Sequence, residues 1–228
     1  MIDVLVLDVN ETLTDLEPLR DGFAAAGLPG HSLDAWFAAT LRDGFALTAA
    51  GAYADFRAIG GDVLAAQLAA AGIEPTEETI GQVLSDFTRL PLHPDVEPGL
   101  RRLHEAGVRI VTLTNGSAAM SERVFTEGGI IDLLEHRLDV ATPQRWKPHP
   151  DAYRYAADVC GVPVERMGLA AVHPWDIDGA RRAGLRGFYI DRRNTPYPKA
   201  FLAPDLIVED FVALESHGQI RRRTDTAT

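Results

Sequence analysis

Residues 2–13 read Ile2-Asp3-Val4-Leu5-Val6-Leu7-Asp8-Val9-Asn10-Glu11-Thr12-Leu13. The first six are largely apolar, rich in β-branched residues, and end in polar ones. Such a run fits a strand buried on both faces of a parallel sheet. Asp8 then sits where the strand gives way to its loop. In open parallel sheets the ligand crevice lies outside the carboxyl ends of the strands. A carboxylate there serves as nucleophile, base or metal ligand, or simply caps the following turn.

The composition bounds what surrounds that strand. With 228 residues the chain accommodates one large domain, or one carrying a smaller insertion. The formal net charge of −11 argues against non-specific binding to nucleic acid or anionic membranes, which need a basic field. The apolar start is interrupted by Asp3 and Asp8, so no secretory signal is read there. No apolar run reaches membrane-spanning length, and a cytoplasmic location is expected. The single cysteine, Cys160, excludes an internal disulfide and reads as a buried thiol at a helix end.

Residues 16–90 lose the strand pattern and become alanine-rich and helical, with ten acidic and four basic side chains. Helices are expected from Ser32 to about 50, from Gly60-Gly61-Asp62 to about 71, and from Thr76 to about 88. From Pro98 onward helices and strands alternate, which argues for a parallel sheet covered on both faces. The expected architecture is α/β: a Rossmann-like, doubly wound parallel sheet with an inserted helical cap. The core spans 1–15 and 92–216, and the cap 16–91. The tail, 217–228, carries Arg221-Arg222-Arg223 and is expected to fray. Three arginines alone do not make a nucleic-acid site.

Three later segments end in polar turns. Thr112-Leu113-Thr114-Asn115-Gly116-Ser117 offers hydroxyl, amide and helix-terminal N–H groups to an anion, or is a plain Asn-Gly turn with a Ser cap. Lys147, before Pro148, is held extended. It neutralises a nearby carboxylate or is a solvated loop lysine. Val172-His173-Pro174-Trp175-Asp176 leads from a strand into a helix, whose first turn Asp176 favours in any case. His173 is open to three readings: a base, a hydrogen-bond donor or a turn residue.

The Asp8-Val9-Asn10-Glu11-Thr12-Leu13-Thr14-Asp15 stretch resembles the first motif of the haloacid dehalogenase superfamily, and the three later segments follow in that family's order. Trp175-Asp176-Ile177-Asp178-Gly179-Ala180 resembles the L-2-haloacid dehalogenase branch. The resemblance, over roughly residues 1–215, implies that Asp8 is a nucleophile forming a covalent ester and that Thr12 holds its carboxylate. It implies that Thr114 and Asn115 take the substrate's anionic group, Asn115 also the leaving halide. Lys147, Tyr153 and Asp176 match residues that branch uses, Asp176 pairing with the lysine and preparing water. Backbone N–H groups near Val9 and Asn10 are expected to serve the oxyanion, with His173 in a positioning role beside Trp175.

Asn10 and Val172 stand where the family's Mg²⁺-dependent phosphatases carry an acid/base aspartate and a metal-binding aspartate. A halide leaving group needs no proton, so the expected reaction is metal- and cofactor-free conversion of a 2-halocarboxylic acid to a 2-hydroxy acid. Departures from the branch are Phe37, aligned with a cap arginine, Ala171 for a serine and His173 for an asparagine, whereas Phe56 matches an aromatic of the halide pocket. The competing readings are a related hydrolase acting on a non-halogenated small acid, a Mg²⁺-dependent phosphatase, and a binding module without turnover. The expected partner is a small carboxylic acid, and apolar cap helices make a homodimer plausible.

Overall fold

A computed structural model describes residues 2–216; the tail lies outside the described residues. Six parallel strands form one sheet: β1 (Val4–Leu7), β2 (Arg109–Thr114), β3 (His136–Asp139), β4 (Met167–Ala171), β5 (Arg186–Ile190) and β6 (Leu206–Val208). Their order is β3-β2-β1-β4-β5-β6, all pairs parallel. The chain runs from β1 outward to β3, then returns to β4 on the other side of β1. That reversal opens a crevice between the carboxyl ends of β1 and β4, the place where doubly wound sheets bind ligands.

β1 is buried along its whole length. Val4 and Val6 face one core, and Leu5 and Leu7 face the other, as strand alternation requires. Asp8 continues the Val4–Val6 side, whose core is completed by helices α1 (Leu19–Ala25), α2 (Ser32–Ala49), α3 (Phe56–Ala70) and α4 (Glu77–Ser85). On the opposite face pack α5 (Val96–Glu105), α6 (Ala118–Glu127) and α9 (Phe211–Ser216), while α7 (Pro150–Cys160) and α8 (Pro174–Ala183) belong to the first. Cys160 is buried, and burial pushes its thiol pKa up, as suits a packing residue.

Several helix bounds differ from the sequence reading. α3 starts at Phe56 rather than Gly60, because the Asp55 carboxylate accepts the Ala58 N–H at 2.8 Å and caps it. Gly60 is instead a contact point: the Trp36 indole donates to its carbonyl at 2.7 Å, and a Cβ there would meet that ring at 2.8 Å. α5 begins at Val96 because Pro98 falls in its first turn, where no N–H partner is lost. α1 follows Pro18 without a side-chain cap, and seven residues are too few to show a helical period. Ser117 precedes α6 but caps nothing; Asp139 accepts the Ala118 N–H at 3.0 Å instead.

The helices before β2 are tied to the segment ahead of α7 by Trp146. Its backbone N–H donates to Thr48 Oγ1 at 3.1 Å, and its indole donates to the Ala54 carbonyl at 3.0 Å. Gly44 of α2 lies so close that any Cβ would overlap the indole. This clasp fixes the residue that follows, Lys147.

Candidate active site

Three chain segments, 8–12, 147–153 and 173–176, meet at Asp8. Its Oδ1 accepts from Lys147 Nζ at 2.8 Å. Its Oδ2 accepts from Thr12 Oγ1 at 2.7 Å and lies 3.0 Å from His173 Nδ1. Lys147 Nζ also donates to Asp176 Oδ2 at 2.7 Å, and Tyr153 donates its hydroxyl to Asp176 Oδ1 at 2.6 Å. Lys147 and Asp176 are 0% exposed and Asp8 4%. A buried charge persists only when paired and hydrogen-bonded, and each one here is.

Local structure explains the placement. Pro148 and Pro150 end the extended segment and start α7, which puts Tyr153 one turn in, facing α8. Pro174 opens α8, so Asp176 falls in its first turn; the side chain is turned to Lys147 and caps no helix. Gly179 of α8 has Pro148 and the Tyr153 hydroxyl so near that no side chain fits there. Thr12 serves twice, donating to Asp8 and accepting the Val172 N–H at 3.1 Å, which joins the ends of β1 and β4.

The two carboxylates that share Lys147 are driven apart. Burial alone would raise Asp8, but the Lys147 charge and the His173 hydrogen bond outweigh it and hold Asp8 well below the usual carboxylate range. Burial raises Asp176 and the Asp8 charge adds to that rise, against the pull of Lys147. Burial would lower Lys147 too, yet Asp176 and Asp8 keep it charged. Two acids with opposed shifts suit two roles, one permanently ionised and one ready to take a proton.

Other expected residues are placed less directly. Asn115 turns inward: its Oδ1 accepts the Lys147 N–H at 2.8 Å and its Nδ2 donates to the Lys147 carbonyl at 3.0 Å. Only the second N–H of that amide is left for an anion. Thr114 Oγ1 accepts the Gly116 N–H at 2.9 Å. The Val9 side chain is buried in the opposite core, leaving only its backbone toward the site, and Asn10 lies beside Gly116. Phe56 stacks on Trp146, ring centres 6.1 Å apart, inside a cluster with Trp36, Phe37 and Phe87. Phe37 and Trp175 flank His173, with centroids 6.3 and 5.0 Å from its ring.

One participant escaped the sequence reading. Glu11 adopts a left-handed backbone, φ 61°, and its Oε2 lies 2.9 Å from His173 Nε2. Arg193 donates to Glu11 Oε1 at 3.0 Å. A glutamate inside the first motif carries no sign of that backbone, which Gly or Asn more often adopts. Outside His173, a cavity of about 620 Å³ opens between α2 and the loop after β5, with Leu16, Phe37, Leu41 and Arg193 on its walls. Asp8 and Lys147 do not line it; they lie behind His173.

Residues 2–184 match the haloacid dehalogenase-like hydrolase family. The chain belongs to that family. It is 26% identical over 228 residues to the (S)-2-haloacid dehalogenase of Xanthobacter autotrophicus, covering 99% of this chain and 88% of the relative. It is 25% identical over 210 residues to haloacetate dehalogenase H-2 of Moraxella sp. (strain B), covering 91% and 93%. The structure of the Xanthobacter L-2-haloacid dehalogenase with chloropropionic acid covalently bound superposes with a TM-score of 0.86, at 24% identity and covering 95% and 98% of the two chains. The family fold accounts for the sheet order. Among the described residues no helix is long and apolar enough to cross a membrane.

Proposed function

We propose that this protein is a 2-haloacid dehalogenase that displaces halide from a 2-halocarboxylic acid through an ester on Asp8. The observation that carries the reading is the buried Asp8–Lys147–Asp176 array with its opposed carboxylate shifts. The substrate carboxylate binds the turn of Thr114, Asn115 and Gly116 at the N-terminus of α6, where N–H groups favour an anion. Asp8 attacks the carbon bearing the halogen, and the carbon–halogen pair leaves as halide. Water then attacks the Asp8 carbonyl carbon, giving a proton to Asp176. The Cγ–ester oxygen bond breaks, and a 2-hydroxy acid leaves with inverted configuration.

Helical residues 16–91 act as a cap over the core of 1–15 and 92–216 and exclude water while the first step proceeds. The reaction needs no metal. Asn10 and Val172 supply neither a proton donor nor a hard oxygen ligand, and halide needs no protonation. Incubation with 2-chloropropionate is expected to release chloride at the same rate in chelator as in added Mg²⁺. Phosphate release from phosphomonoesters that rises with Mg²⁺, without chloride release, would replace this reading with the phosphatase one.

A further inference from the structure

The donors around Asp8 distinguish its two oxygens. A carboxylate oxygen has two in-plane lone-pair sites. Among the described residues Oδ1 receives Lys147 alone, so one site stays open for attack on carbon. Oδ2 receives Thr12 and His173, and both its sites are filled. When Oδ1 becomes the ester oxygen, Oδ2 becomes the ester carbonyl and keeps both donors. Water adding to Cγ then moves the carbonyl electron pair onto Oδ2, between those donors.

Resting on the proposed ester chemistry, we infer that protonated His173 is a catalytic residue of ester hydrolysis, donating from Nδ1 to the oxyanion at Oδ2 while Glu11 holds it charged. Both ring nitrogens face carboxylate oxygens, Asp8 at 3.0 Å and Glu11 at 2.9 Å, and carboxylates only accept. Both nitrogens therefore carry hydrogen, which makes the ring an imidazolium. The aromatic rings of Phe37 and Trp175 beside it favour a cation as well.

The charged groups around the ring agree. Asp8 and Glu11 reach it from the loop after β1, and Lys147 and Asp176 stand behind Asp8. Arg193 lies beyond Glu11, while α2 presents uncharged Phe37 and an Arg20–Asp34 pair lines the outer cavity. Burial would lower the imidazole, but the hydrogen bonds to Asp8 and Glu11 push it up to about 9. Esterification removes the Asp8 charge. Glu11 is then the only carboxylate in contact with the ring among the described residues, which makes it the positioning residue that preserves the imidazolium for the second step.

Water loses one proton to Asp176, its oxygen bonds Cγ, and the pair on Oδ2 returns as the Cγ–Oδ1 bond breaks. The departing alkoxide takes the proton from Asp176, and the restored Asp8 carboxyl releases one to solvent. His173 gains and loses no proton; it stabilises charge as it develops.

The test follows halide by rapid quench and the chain by intact mass, with excess 2-chloropropionate. His173→Ala is expected to release one chloride per chain, then stall with the ester accumulated and steady turnover down about 10²–10³-fold. Glu11→Gln shifts the same way to a smaller degree, and its turnover fails at lower pH than wild type. The unmodified protein, whose fold is not at issue, is expected to accumulate ester as pH rises through the imidazolium range. A burst lost together with turnover in His173→Ala, or ester levels independent of pH in wild type, would overturn the inference while leaving the dehalogenase reading intact. Wild-type protein that releases no chloride would overturn both.

Discussion

Replacing Asp8 by alanine is expected to lower halide release by about 10⁴-fold or more, because no second nucleophile reaches the substrate carbon. Lys147 remains charged in that variant, since Asp176 still pairs with it at 2.7 Å. The space left by the carboxylate admits water to Thr12 and His173. The variant should therefore remain folded. Its unfolding midpoint would show a modest loss, while chloride release falls to the background without protein. Activity within tenfold of wild type would remove Asp8 from the reaction.

Lys147→Met is expected to be severe in both respects. The ammonium is fully buried and bridges two carboxylates. Removing it leaves Asp176 with no cationic partner and Asp8 with His173 alone, at a cost of about 3–5 kcal/mol in stability. One of the two carboxyls then takes a proton, which disables either the nucleophile or the base. Asp176 is already raised in the folded protein, and losing Lys147 raises it further. A group with a raised folded pKa contributes stability present below its unfolded pKa and lost as pH rises through the folded value. Denaturant midpoints of the variant should thus lie nearer to wild type at pH 5 than at pH 8. An unchanged midpoint at both pH values would show that Lys147 carries little of the site's stability.

Asp8 was readable because a strand buried on both faces must be apolar throughout, so the carboxylate that follows Val4–Leu7 marks the sheet's rim. The same reasoning located Thr114, Lys147 and the turn before Asp176, each where a polar group follows an apolar strand or precedes a proline. What stayed hidden was direction. Asn115 reads as an anion donor, yet it spends most of its amide holding the Lys147 backbone. Glu11 meets His173 across 162 residues and through a left-handed turn that glutamate rarely adopts. Local propensity carries neither fact. The Gly60-Gly61 pair misled for a related reason: Gly60 serves close packing against Trp36 inside α3, not the start of a helix.

Multiple turnovers of a 2-haloacid in oxygen-18 water, followed by mass analysis of the Asp8 peptide, test the ester most directly. Water attack on Cγ returns a solvent oxygen to the enzyme, so heavy oxygen is expected in Asp8 itself, and the product of a single turnover is expected to carry light oxygen. Heavy oxygen in the single-turnover product, with none in Asp8, would mean that water displaces halide directly and would contradict the mechanism.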